Sequence, residues 1–104
     1  MTEAEIAFNS IADTLCQKPD TTLGKMMSSP GIQKKGKVFA FFWKDKMVFK
    51  LGKDFDISDK FGIMDFEYLN PFKNKPPMKG WYVVNENHIR HWKALADVAS
   101  DQMK

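Results

Sequence analysis

A chain of 104 residues is long enough for one hydrophobic core and short of what two ordinary domains need. With 43% hydrophobic residues, nine Phe and three Trp it can close that core unaided, and its single cysteine, Cys16, excludes an internal disulfide and a cysteine-based metal cluster. The formal net charge of +3 is modest but unevenly placed, since residues 25–53 hold eight lysines against one acid, Asp45.

The lone cysteine fits a reducing, cytoplasmic setting. Residues Met1 to Glu5 are acidic and polar where an export signal is basic and then apolar, and no apolar run approaches the ~20 residues a bilayer requires. The expectation is a single cytoplasmic domain over residues 1–104 with no membrane partner.

In chain order, Ala4, Ala7, Phe8, Ile11, Ala12 and Leu15 recur at i, i+3, i+4 spacing behind Thr2 and Glu5, which are placed as a capping box. This predicts an amphipathic helix ending before Pro19. Cys16, in its last turn, reads as a small buried residue rather than a reactive thiol, because no His or Arg is near it in sequence. Residues 21–33 read as one short extended segment, with Pro30-Gly31 forcing a turn or bulge and confining it to an edge or a kink.

After the turn Lys34-Lys35-Gly36-Lys37, residues 38–43 are the strongest strand signal, followed by a second strand at 47–51. A three-residue loop at 44–46 pairs Trp43 with Met47, Phe41 with Phe49 and Phe39 with Leu51, and that face is predicted to be the core. The opposite face then carries Ala40, Phe42, Val48 and Lys50, more apolar than a solvated face requires. It is either a protein-contact surface or covered by another part of the same domain.

Residues 56–61 read as a short helical turn closed by Gly62, and residues 65–69 and 81–84 as two strands joined by a Pro-rich loop over 70–78 that Pro76-Pro77 would stiffen. A C-terminal helix capped by Asn85 or Asn87 carries Ile89, Trp92, Leu95, Ala96 and Ala99 on its apolar stripe, with Glu86 and Arg90 paired at i, i+4. The fold class expected is α+β: a two-layer antiparallel sheet with helices on one face, in the order α-β(3)-α-β(2)-α.

No motif for catalysis or cofactor binding is present. His88 and His91 lack a third ligand nearby, so no metal is expected, and they read as solvent-side or capping residues. The acid pairs Asp54 and Asp56, and Asp65 and Glu67, match solvated carboxylates better than a general acid and base. Gly31 and Gly36 fit no phosphate-loop spacing, so no nucleotide cofactor is expected. The protein reads as a non-enzyme.

Gly36-Lys37-Val38-Phe39-Ala40 with its hairpin, Pro71-Phe72, Pro77-Met78-Lys79-Gly80-Trp81 and the helix carrying Trp92 resemble the TfoX N-terminal domain family, with the likeness running over residues 25–99. The resemblance implies a small stand-alone member with the two-layer arrangement shared with the type III secretion chaperone-like fold. It also implies a bacterial protein related to a competence regulator, and it carries over no catalytic residue.

Two binding functions follow. One is a protein-interaction module or regulatory accessory protein, whose partner is another protein or a second copy of the chain, using the face of Phe42 and Val48 or an exposed sheet edge. The other is a non-specific nucleic-acid-binding regulator using the basic 25–53 region through Lys34, Lys35 and Lys37. The only arginine is Arg90, which leaves little for base reading.

Overall fold

The computed structural model describes residues 2–26, 28–69 and 78–102. Helix α1 (Glu3–Leu15) begins as expected: the Thr2 hydroxyl accepts the Glu5 N–H at 3.1 Å while the Glu5 carboxylate accepts the Thr2 N–H at 3.5 Å. Strands β1 (Thr21–Met26), β2 (Ser29–Lys34), β3 (Lys37–Trp43) and β4 (Lys46–Lys50) follow, then helix α2 (Ile57–Phe61), strands β5 (Glu67–Leu69) and β6 (Met78–Val84), a 3-10 turn (Glu86–His88) and helix α3 (Ile89–Gln102). The fold is α+β, with a six-stranded antiparallel sheet in the order β1-β2-β3-β4-β6-β5.

Four strands precede α2, not three, because residues 21–34 fold back on themselves as a hairpin in which Met26 pairs with Ser29. Ser28 takes a left-handed φ of 67°, a conformation that nothing in its residue type announces. Pro30 lies in an interior strand rather than at an edge, yet the β2–β3 register begins only at Gly31, so its missing N–H leaves no gap in that ladder. Residues 70–77 of the Pro-rich loop, the Pro71-Phe72 pair among them, fall outside the described residues, and the loop is shorter than expected at its end because β6 already begins at Met78.

The β3–β4 connection also differs from the expected one. Trp43 pairs with Lys46, Phe42 with Met47, Phe41 with Val48 and Ala40 with Phe49. The loop is therefore the two residues Lys44-Asp45, both at positive φ (50° and 61°). Its backbone is that of a turn that favours Asn-Gly, which is why the sequence did not signal it. A register shift opposite Ile32 and Gln33 leaves Phe39 as an extra residue in β3, so Phe39 and Ala40 both join the helix-side cluster.

All three helices bury their apolar residues against one face: Phe8, Ile11 and Leu15 of α1, Ile57 of α2, and Trp92, Leu95 and Ala99 of α3 meet Ile32, Phe39, Phe49, Tyr82 and Val84. The other face holds a second cluster of Phe41, Val48, Leu69, Trp81 and Val83, with Met26, Val38 and Trp43 packed around it. In α3 the stripe expected from sequence is buried from Trp92 to Ala99, with Ile89 half-buried at its start, but its ion pair runs from Lys93 to Asp97 at 2.8 Å. Glu86 sits in the 3-10 turn, where residues four apart do not stack, and no ion pair to Arg90 forms among the described residues.

Candidate functional site

The four residues expected to share a contact face do not share one. Ala40 is fully buried under the helices, and Phe42 is half-buried beside Phe8, ring centroids 5.5 Å apart. Val48 and Lys50 lie on the opposite face, where Val48 is fully buried and the exposed Lys50 ammonium sits 5.9 Å from the Trp81 ring. The two-residue loop accounts for the correction, since one residue of slip moves the β3 side chains from Ala40 to Trp43 to the other face, while the bulge returns Phe39 to the face expected for it.

The basic segment is divided as well. Lys35 and Lys37 are exposed at the β2–β3 turn, but Lys34 is half-buried and its ammonium lies 3.4 Å from the Ser100 carbonyl in the last turn of α3. A cation there offsets the negative end of the helix. Lys44 belongs to the turn at the other end of β3, with its ammonium 4.8 Å from the Trp43 ring. A seven-residue strand separates the two groups by roughly 20 Å.

The titratable groups are engaged in the fold. His88 bonds through Nε2 to Asp65, whose other oxygen accepts the Asn85 amide at 2.9 Å, and these two contacts hold the Asp65 carboxyl below the usual carboxylate range. His91 packs edge-on against Phe61, ring centroids 5.7 Å apart, rather than facing solvent alone. Asp56 caps α2 by accepting the Asp59 N–H at 3.0 Å, and Asp54 has no part in that cap. Burial, and then the charge of Asp13, push the Cys16 thiol up, which keeps it protonated and a poor nucleophile. Among the described residues no three His, Cys, Asp or Glu side chains come together as metal ligands do. No described helix is long and apolar enough to cross a membrane.

An open apolar surface lies at one edge of the sheet. Between α1 and the β1–β2 hairpin lies an open, mostly apolar cleft of about 430 Å³, walled by Phe8, Ala12 and Asp13 on one side and Leu23, Lys25 and Pro30 on the other. Leu23 pairs with the buried Ile32, so it projects from the helix-covered side of the sheet, yet it is 64% exposed. The cause is position: β1 is the edge strand, and α1 does not extend over it far enough to cover Leu23. The other edge, β5, is three residues long and carries Glu67, the form in which native sheets blunt an edge. Strand β1 has six residues and one charge, Lys25.

No protein-family model, curated protein or solved structure matches the chain.

Proposed function

We propose that this chain is a non-catalytic protein-interaction domain of the bacterial cytoplasm, a regulatory accessory protein of the TfoX N-terminal type, and that it binds polypeptide at the β1 edge. One observation carries the reading: an exposed Leu23 on a six-residue edge strand, beside an apolar cleft that opens along that edge. A free edge offers backbone hydrogen bonds to an added strand, and an adjacent apolar cleft selects its side chains. The nucleic-acid alternative draws less support, because Lys34 is committed to the end of α3, and Lys35 and Lys37 at one end of β3 lie a strand's length from Lys44 at the other.

The test is a photo-reactive benzoylphenylalanine placed at Leu23 in living cells, with Met64, 79% exposed and away from the cleft, as the control position. A discrete polypeptide adduct from position 23 and none from position 64 is the expected result. Equal labelling from both, or none from either, overturns the reading.

A further inference from the structure

We infer that the polypeptide seated on β1 is the β1 strand of a second copy of this chain, paired antiparallel about Leu23, so that each copy completes the other's cleft. The inference rests on the protein-binding reading above and adds the partner and its register.

The backbone sets that register. The Lys35 N–H donates to the Asp20 carbonyl at 2.9 Å, so with Thr21 opposite Lys34 and Gly24 opposite Gly31, the even-numbered residues of β1 face β2. Thr21, Leu23 and Lys25 therefore turn their backbone groups to the open edge, and the Thr21 N–H donates to the Lys18 carbonyl rather than to β2. An antiparallel strand can bond only to those outward residues. A twofold axis at Leu23 pairs it with its own copy and Thr21 with the partner's Lys25, which uses the outward groups of β1 other than the Thr21 N–H and places no lysine opposite a lysine.

Charge favours the same arrangement. Helix α1 starts beside the β3–β4 turn, where the Thr2 hydroxyl donates to Asp45 at 3.1 Å, and five residues separate its end from β1, so α1 and β1 run in opposite directions and Asp13 lies toward the Thr21 end. Pairing Thr21 with the partner's Lys25 brings that ammonium to the Asp13 end of the cleft, on the same side of the sheet. Within one copy neither Asp13 nor Lys25 forms an ion pair among the described residues. The polar side of β1, where the Gln33 amide donates to Thr22 at 3.1 Å, stays in solvent.

Sedimentation equilibrium from about 1 μM to about 1 mM should show the mass doubling with concentration. Leu23→Glu should remain monomeric with its melt at low concentration unchanged. Asp13→Lys and Lys25→Asp should each weaken association by about twofold to fivefold, and the double exchange should restore it. In a Cys16→Ser background, oxidised Leu23→Cys should give a covalent dimer, since the paired Cα atoms would lie about 5.5 Å apart. Lys25→Cys should not, because its two copies would lie roughly 13 Å apart along the strand. A dimer indifferent to Leu23→Glu, or cross-linked equally from 23 and 25, overturns the register and the inference. A chain that stays monomeric overturns the inference too. In that case an adduct from position 23 to a different polypeptide keeps the protein-binding reading alive, and no adduct removes both.

Discussion

The two faces of the sheet are both dry at their centres, but by different means. On one face Trp92, Leu95 and Ala99 of α3 and Phe8 and Leu15 of α1 cover Phe49 and Tyr82, so helices exclude the water. On the other, Phe41, Val48 and Leu69 are fully buried in a cluster to which no described helix contributes, and flat aromatics lie among them, with Trp81 5.7 Å from Phe41. A strand buried on both sides has no reason to alternate apolar with polar, which explains the unbroken run from Val38 to Trp43. Alternation alone therefore cannot say which face a β3 residue belongs to. Turn length and the bulge at Phe39 decide it.

Substitution should cost most where the helix side is most heavily packed. Trp92 is the largest fully buried side chain, and its indole N–H also reaches the Asn85 carbonyl at 3.3 Å. Trp92→Ala should cost about 3 to 5 kcal/mol by chemical denaturation. On the other face Phe41→Ala should cost about 3 kcal/mol, toward the lower end because no described helix must follow it into the gap. Phe42→Ala, half-buried against Phe8, should cost about 1 to 2 kcal/mol. If Phe42→Ala proves the costlier of that pair, the assignment of β3 to its two faces is reversed.

Much of the helix side is legible in the sequence. The Thr2 and Glu5 cap, the α1 stripe, the Asp56-to-Gly62 turn and the α3 stripe through Trp92 are local patterns at helical spacing, and each is where the pattern placed it. What was not legible depends on pairing. The β1–β2 hairpin hinges on Ser28 at positive φ, and the β3–β4 turn on Lys44 and Asp45 at positive φ, none of them residues that demand such geometry. The candidate cleft was hidden for a related reason: Leu23 looks like any strand leucine until the strand order makes β1 an edge.

Two smaller effects tie the faces together. The Tyr82 hydroxyl sits 3.0 Å from the Gly52 carbonyl and 2.9 Å from that of Phe55, anchoring the segment after β4 to the helix side. Tyr82→Phe should cost about 1 kcal/mol by urea denaturation, with the aromatic packing against Phe55 and Phe66 kept. Asp65, bonded to Asn85 and His88, holds the approach to β5, whose Leu69 closes the outer cluster. Its carboxyl is held low by those bonds, so its contribution is present above the unfolded value near pH 4 and is lost as pH falls through the lower folded value. Asp65→Asn should be the less stable protein at neutral pH. The gap between the two should close in melts taken below about pH 4, and a gap that does not change with pH would mean the carboxylate's charge is not what holds the contact.

The smallest expected change bears most directly on which face is which. A two-residue hairpin turn with both φ values positive strains Lys44, and such a turn is most relaxed with Asn first and Gly second. Replacing Lys44-Asp45 by Asn-Gly relieves that strain but removes the Asp45 acceptor of the Thr2 hydroxyl and the Lys44 ammonium over Trp43. Both losses are at the surface, where each is worth about 0.5 kcal/mol, whereas an ordinary side chain in the left-handed region costs about 1 to 2 kcal/mol and two such residues are relieved. The double variant should therefore be more stable by about 0.5 to 1 kcal/mol. A three-residue loop pairing Trp43 with Met47 makes the opposite demand, because Asn-Gly would then drive the hairpin out of its own register and move Phe41 and Phe42 to the wrong faces. Destabilisation of the Asn-Gly variant in a urea titration would accordingly restore the longer loop and return Phe42, not Phe41, to the face without helices.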